Sequence, residues 1–297
     1  MRPVVKRRLV RGGLGLLALV LLVASVAIYF NRYADPRRQQ LGAGVACQDC
    51  ALSGLSFWRG DLQGADLSGA DLAGAALWWA DLRGATLANA NLNGTNLWWA
   101  DADGADFTGA DLRQARARRL ELPGGKLDGA RLGEADLTGA NLTGASLAGA
   151  DLEWADLKQI NAPKADFAGA RLVQANLFMA IARGADLRGA DLGNATANKA
   201  DFSGADLTDA KLVKTRMGEA NLSGVNLTGA DLTGAQVVAT SFKAAKLVGA
   251  VLRDANMWRA DLTDADLTNA DLTGANLDDV VLCRTRLPTG EDSSGCP

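Results

Sequence analysis

The sequence predicts a solenoid built from one short repeated unit. Three observations point there. From Leu52 to Leu287 an apolar residue recurs at every fifth position without a slip: Leu, Phe, Ala, Met or Val, never a polar side chain. Two places before each of these centres the residue is most often Ala, as in Ala65-Asp66-Leu67. The chain is 48% hydrophobic but only 5% aromatic, so its apolar mass is Leu and Ala, which suits a narrow, uniformly filled core. An amphipathic helix needs apolar residues 3.6 apart and a flat strand needs them two apart; a strict five fits neither. Length alone, 297 residues, suggests about two domains, but a repeat array lengthens by adding units and not by enlarging one core.

The chain opens with a basic segment, residues 1–11, carrying Arg2, Lys6, Arg7, Arg8 and Arg11. An uncharged run, Gly12 to Phe30, follows, long enough for one membrane-spanning helix over 12–31. Tyr29 and Tyr33 lie at its far end, where interfacial aromatics are expected, and the excess of basic residues before the run places the N-terminus in the cytoplasm. A cleaved signal peptide would use Ser25-Val26-Ala27, but the apolar run is longer than the usual h-region, so an uncleaved anchor is expected. A lipoprotein signal ending at Cys47 fails, because a charged stretch separates Cys47 from the apolar run. Residues 32–46 read as a polar linker, 47–287 as the repeat domain and 288–297 as a C-terminal cap.

Units such as Ala65-Asp66-Leu67-Ser68-Gly69 resemble the pentapeptide-repeat family, over about four fifths of the chain. The resemblance implies an all-β fold, a right-handed quadrilateral parallel β-helix. Four units would form the four sides of a 20-residue coil, with about 12 coils in all. The centre and the small residue two before it would point inward and the other three outward. With strand-like spacing of about 4.8 Å per coil, the tube would be roughly 55 Å long. Gly suits the corners, where tight turns call for positive φ, and Asp, Asn and Thr can bond nearby backbone there. Where a small position enlarges a neighbouring centre shrinks, as at Leu120 after Ala117 and Ile160 before Ala162, which reads as volume compensation.

Cys47 and Cys50 stand at the start of the repeats, Cys283 and Cys296 at the end. A single four-cysteine zinc site is excluded by that separation. In an oxidising compartment two local disulfides are the simplest expectation, each stapling an end where a solenoid otherwise leaves an open edge. A redox role for the Cys47-Gln48-Asp49-Cys50 stretch lacks the surrounding βαβ pattern.

Residues 20 apart should stack, which sorts the outward positions into four faces. One carries six of the seven Trp: Trp58, Trp78, Trp79, Trp98, Trp99 and Trp258, with Arg118, Arg119 and Phe178. Trp154 falls elsewhere. Stacked aromatics stabilise neighbouring coils by themselves. Trp and Arg concentrated on an exposed patch also mark contact surfaces, and these nine residues are the candidate binding site. A second column, Asp111, Arg131, Asp151, Arg171, Asp191, Lys211, Asp231, alternates in sign and reads as a structural charge ladder.

The absence of His removes the commonest general base and metal ligand, and the carboxylates fall on a regular outer lattice. No catalytic residue, metal or cofactor is expected. The expected function is a non-enzymatic, membrane-anchored interaction scaffold. It would be held in the bacterial inner membrane by 12–31, with the repeats extracytoplasmic. Its partner would be another envelope protein or a second copy. Two alternatives stand beside it. Some pentapeptide-repeat proteins mimic DNA and bind a topoisomerase such as gyrase; after Cys47, however, 23 basic and 33 acidic residues leave a net charge of only −10, and the most distinctive face is Trp and Arg. The Trp face could also bind envelope glycans or the membrane surface.

Overall fold

The structure, a computed structural model, describes residues 41–292 and 294–296. Every fifth residue forms a parallel bridge with the residue 20 further on, from Ala46 with Asp66 through to Asp266 with Arg286. Four bridges per 20 residues make each coil four-sided, and (286 − 46)/20 gives twelve coil steps. The fold is a β-helix.

One unit explains the rest. Asp81 donates its N–H to the Gly60 carbonyl (2.9 Å) and accepts from the Leu62 N–H (2.8 Å), both in the preceding coil. The Leu62 carbonyl then accepts from Ala65 N (3.0 Å), closing a turn through Gln63 and Gly64. Each side of the tube is thus one bridging residue between two turns. The third residue of the turn must be left-handed: Gly64 sits at φ 62°. Glycine adopts that conformation without penalty, whereas an L side chain brings its Cβ too close to the backbone.

The inward positions fill one continuous core. Centres such as Leu62, Leu67 and Phe107 are buried, as are the small residues between them, such as Ala65 and Ala105. Leu120 and Ile160 are buried in small positions beside Ala117 and Ala162, so volume is exchanged locally. Gly125 makes room in the same way: a Cβ there would lie 2.2 Å from Leu122 Cδ1, so Leu122 would have to shift. Thr95, Thr215, Thr240 and Thr285 replace Ala without stranding a hydroxyl: each donates to a carbonyl of the preceding coil, Thr95 to Leu72 O at 2.8 Å.

The ends depart from the repeat. Cys47–Cys50 closes a disulfide in the first coil and Cys283–Cys296 another at the exit. At the last bridge, through Arg286, the chain turns back as a hairpin, β1 (Thr285–Leu287) antiparallel to β2 (Gly290–Asp292). The linker boundary at 46 needs correction. Gly44 N already donates to Gln63 O (2.7 Å), Val45 N closes a turn onto Gly42 O (3.1 Å), and Ala46 is a bridging residue. Coil formation needs only the backbone 20 residues on, so Gly42 can occupy a centre that a hydrophobic pattern overlooks. The apolar span at 12–31 and the basic segment before it lie outside the described residues. Among the described residues no helix is long and apolar enough to cross a membrane.

Candidate functional site

The candidate residues occupy one corner of the tube, the turn that follows the bridging column Ser56, Ala76, Asn96, Arg116 and precedes the column Asp61, Asp81, Asp101, Glu121. Asn side chains secure three of the turns that carry an aromatic: the Oδ1 atoms of Asn96, Asn176 and Asn256 accept from the backbone N–H of Trp98 (3.1 Å), Phe178 (3.2 Å) and Trp258 (3.3 Å). Glycine is nearly absent from the left-handed position of this corner. Arg59, Trp79, Trp99 and Arg119 take it at φ 51–61°.

The rings form two short ladders. Trp79 and Trp99 stack with centroids 5.3 Å apart and planes within 7°. Trp58 and Trp78 meet at 5.5 Å, tilted by 36°. Trp98 does not continue the second ladder; the Arg118 guanidinium lies 5.9 Å from its centroid instead. Arg119 caps the free side of Trp99 at 4.6 Å, and Arg59 lies over Trp58 at 5.0 Å. Trp79, Trp98 and Trp99 remain 41–48% exposed. The facing surfaces of Trp79 and Trp99 are therefore closed by each other, and the far face of Trp99 by Arg119. The ring edges carry the positive end of the quadrupole, which the guanidiniums reinforce.

Below Arg118 and Arg119 the side chains shrink to Thr138 and Gly139. The step leaves an open cleft of about 680 Å³, walled by Trp98, Trp99 and the two arginines, with Glu121 to one side. Arg118 is tied to Asp136 at 2.5 Å. Arg116 and Arg119 have no ion pair among the described residues. The acidic column beside the corner is partly neutralised: Arg83 grips Asp81 with two bonds (2.8 and 2.5 Å) and holds its carboxyl below the usual range. Glu121 accepts from Asn141 Nδ2 at 2.7 Å.

Phe178 and Trp258 share the corner but stand four and eight coils beyond Trp98, so the structure does not gather them into the ladder. Trp258 forms its own small cluster: Arg259 lies over its ring at 4.2 Å, and Asp279 accepts from its Nε1 at 3.2 Å. Trp154 lies on the neighbouring corner at φ 60°, 59% exposed, beside Arg113, Gln114, Glu134 and Glu153. Its bulk in a turn position that glycine prefers is the sequence signal for it, although it falls outside the Trp-rich face. The sign-alternating column pairs as expected, with Arg131 3.1 Å from Asp111 and Arg171 3.6 Å from Asp151. Among the described residues no group of His, Cys, Asp or Glu is arranged to hold a metal ion.

A family model described as Pentapeptide repeats matches this chain in eight copies, over residues 50–87, 80–116, 126–161, 164–194, 185–224, 200–236 and 245–283. The chain belongs to the pentapeptide-repeat family. Among solved structures it is similar to HetL of Nostoc sp. Strain PCC 7120, a pentapeptide repeat protein involved in heterocyst differentiation regulation. That match has 32% identity, covers 82% of this chain and 91% of HetL, and has a TM-score of 0.26. A pentapeptide repeat protein of the Arabidopsis thaliana thylakoid lumen is 40% identical over 30% of this chain and 63% of its own, with a TM-score of 0.30. Trypsin-treated QnrB1, a plasmid-mediated fluoroquinolone resistance protein, is 23% identical over 66% of this chain and 88% of its own, with a TM-score of 0.27. No curated protein sequence matches the chain.

Proposed function

We propose that this pentapeptide-repeat protein is a non-enzymatic, membrane-anchored interaction module, with its repeats outside the cytoplasm and the Trp/Arg corner as its docking surface. One observation carries the contact surface. Trp79 and Trp99 occupy left-handed turn positions, at φ 61° and 56°, while nearly half of each side chain is exposed. The backbone conformation disfavours an L side chain by about 1–2 kcal/mol. An aromatic pair returns about 0.5–1.5 kcal/mol, so the fold alone gains little from Trp over Gly at these turns. Strained, exposed aromatics flanked by arginines are what a contact surface needs. The paired disulfides, Cys47–Cys50 and Cys283–Cys296, support an oxidising compartment.

The ring faces that Trp79, Trp99 and Arg119 close on one another weigh against a continuous sugar platform along the corner. The DNA-mimic reading needs a continuous field of negative charge, whereas many carboxylates here are bonded to neighbouring arginines, as Asp136 is to Arg118 and Asp201 to Arg183.

The test is in-cell photocrosslinking of the full chain from position 98, with position 108 on the opposite corner as control. A discrete product from 98, absent from 108 and lost when Trp79 and Trp99 are replaced by Gly, is expected. Equal yields from the two corners would sink the contact surface. Alkaline phosphatase fused after Pro297 should be active; an inactive fusion would reverse the topology.

A further inference from the structure

We propose that the occupant of the Trp/Arg corner is a second copy of this chain, laid alongside in parallel about a two-fold axis that runs with the tubes. The inference rests on the corner being a contact surface and adds the identity and orientation of what covers it. The charge layout decides it. A two-fold axis along the corner sets the column before the corner in one copy against the column after it in the other, coil for coil. Asn96 then faces Asp101 of the second copy, and Arg116, which has no ion pair in its own chain among the described residues, faces Glu121. Continuing through all twelve coils, from Ser56 opposite Asp61 to Asn276 opposite Val281, no pair of like charges meets across these two columns.

The corner itself follows the same rule. Trp58 and Trp258 each meet the arginine of the other copy's turn, Arg59 and Arg259, while Trp98 meets Trp99 and Phe178 meets Met179. Each apolar spot of the corner, however far along the tube, lands on its own counterpart. Two coils set like charges together, Arg118 against Arg119 and Asp278 against Asp279. In the first, Asp136 and Glu121 stand alongside; in the second, Asp279 is already held by Arg259 (3.6 Å) and Trp258. An antiparallel pair centred on the Trp ladder fares worse. It would set the acidic column against itself, Asp61 on Glu121 and Asp81 on Asp101, and leave Phe178 and Trp258 uncovered. Like charges placed face to face disfavour such a docking.

The experiment uses full-length protein in detergent. Light scattering should give a dimer. Asn96→Cys in one tagged copy should form a disulfide with Asp101→Cys in a co-expressed copy, whereas Asp81→Cys with Asp101→Cys should not. Arg116→Glu should weaken dimerisation by at least about tenfold, and adding Glu121→Arg to the same chain should restore it, each factor of ten being about 1.4 kcal/mol. All five positions are on the outer surface, and an unchanged circular dichroism spectrum verifies the tube. A crosslink between the Asp81 and Asp101 positions, or failure of the second charge reversal to rescue the first, overturns the parallel pairing. A monomer that still gives the position-98 photoproduct with a different protein overturns the second copy while leaving the contact surface standing. A monomer with no photoproduct removes both.

Discussion

At the residue scale, the corner sets backbone preference against side-chain contact, and the two can be separated at Trp79. Replacing it by Ala removes the stack on Trp99 but leaves an L residue at φ 61°. Replacing it by Gly removes the stack and the strain together. Trp79→Ala is therefore expected to lower stability more than Trp79→Gly, by about 1 kcal/mol, read as the difference between their thermal midpoints. If the Ala variant equals or exceeds the Gly variant, the left-handed turn is not strained at this site. Trp154 and Met179, at φ 60° and 56°, offer the same comparison without a long ladder to disturb.

At the scale of coils and caps, stability comes from each unit resting on the next. The C-terminal hairpin rests on one neighbour alone, with Arg286 N–H bonded to Ala265 O and Gly295 N–H to Leu282 O. The Cys283–Cys296 bridge spans a sequence separation of 13, and closing a loop of that size restricts the open chain by about 3 kcal/mol. Cys283→Ser with Cys296→Ser should raise hydrogen exchange in Thr285–Asp292 by one to two orders of magnitude while the middle coils keep their protection. Uniform loss of protection along the tube would refute this local account. At this scale much was legible in sequence. A period of five assigned every centre and every outward column, because a one-residue slip would bury an Asp. Stacking 20 apart placed the nine candidate residues along one corner. What stayed illegible depends on rotamers and on local size. Trp98 turns to Arg118 and not to Trp78, and the cleft exists because Arg118 and Arg119 are followed one coil later by Thr138 and Gly139. The start of the tube is hard to read because its first centre is Gly42, which has no side chain, although Leu41 and Val45 beside it pack against the core.

Across the whole molecule, aspartates at turns act together as an acid-sensitive set. Asp271 is held down to about 2 by the Thr273 hydroxyl and backbone N–H, with Arg253 at 2.5 Å on its other oxygen. Asp66, Asp81, Asp186 and Asp266 are lowered as well, each through the side chain two residues on. Protons therefore bind these carboxyls more tightly in the unfolded chain, where the ordinary value is 3.8. Their stabilising contribution is complete above that value and is lost as pH falls through the folded-state values toward about 2. Thermal midpoints should be level from neutral pH to about 5 and then fall steeply between about pH 4 and 2. A midpoint unchanged at pH 2 would show that the turns hold without their carboxylates.

The bridge between each residue and the one 20 further on also governs how such a chain can diverge. Inserting or deleting 20 residues changes only the tube's length, since every later side chain returns to its own face. Losing a single pentapeptide between Arg119 and Phe178 would leave every coil foldable yet carry Phe178, Met179, Trp258 and Arg259 a quarter-turn around the tube. Drift in length is thus quantised. One unit of change is tolerated by the fold, but only four together preserve the alignment of the exposed aromatics.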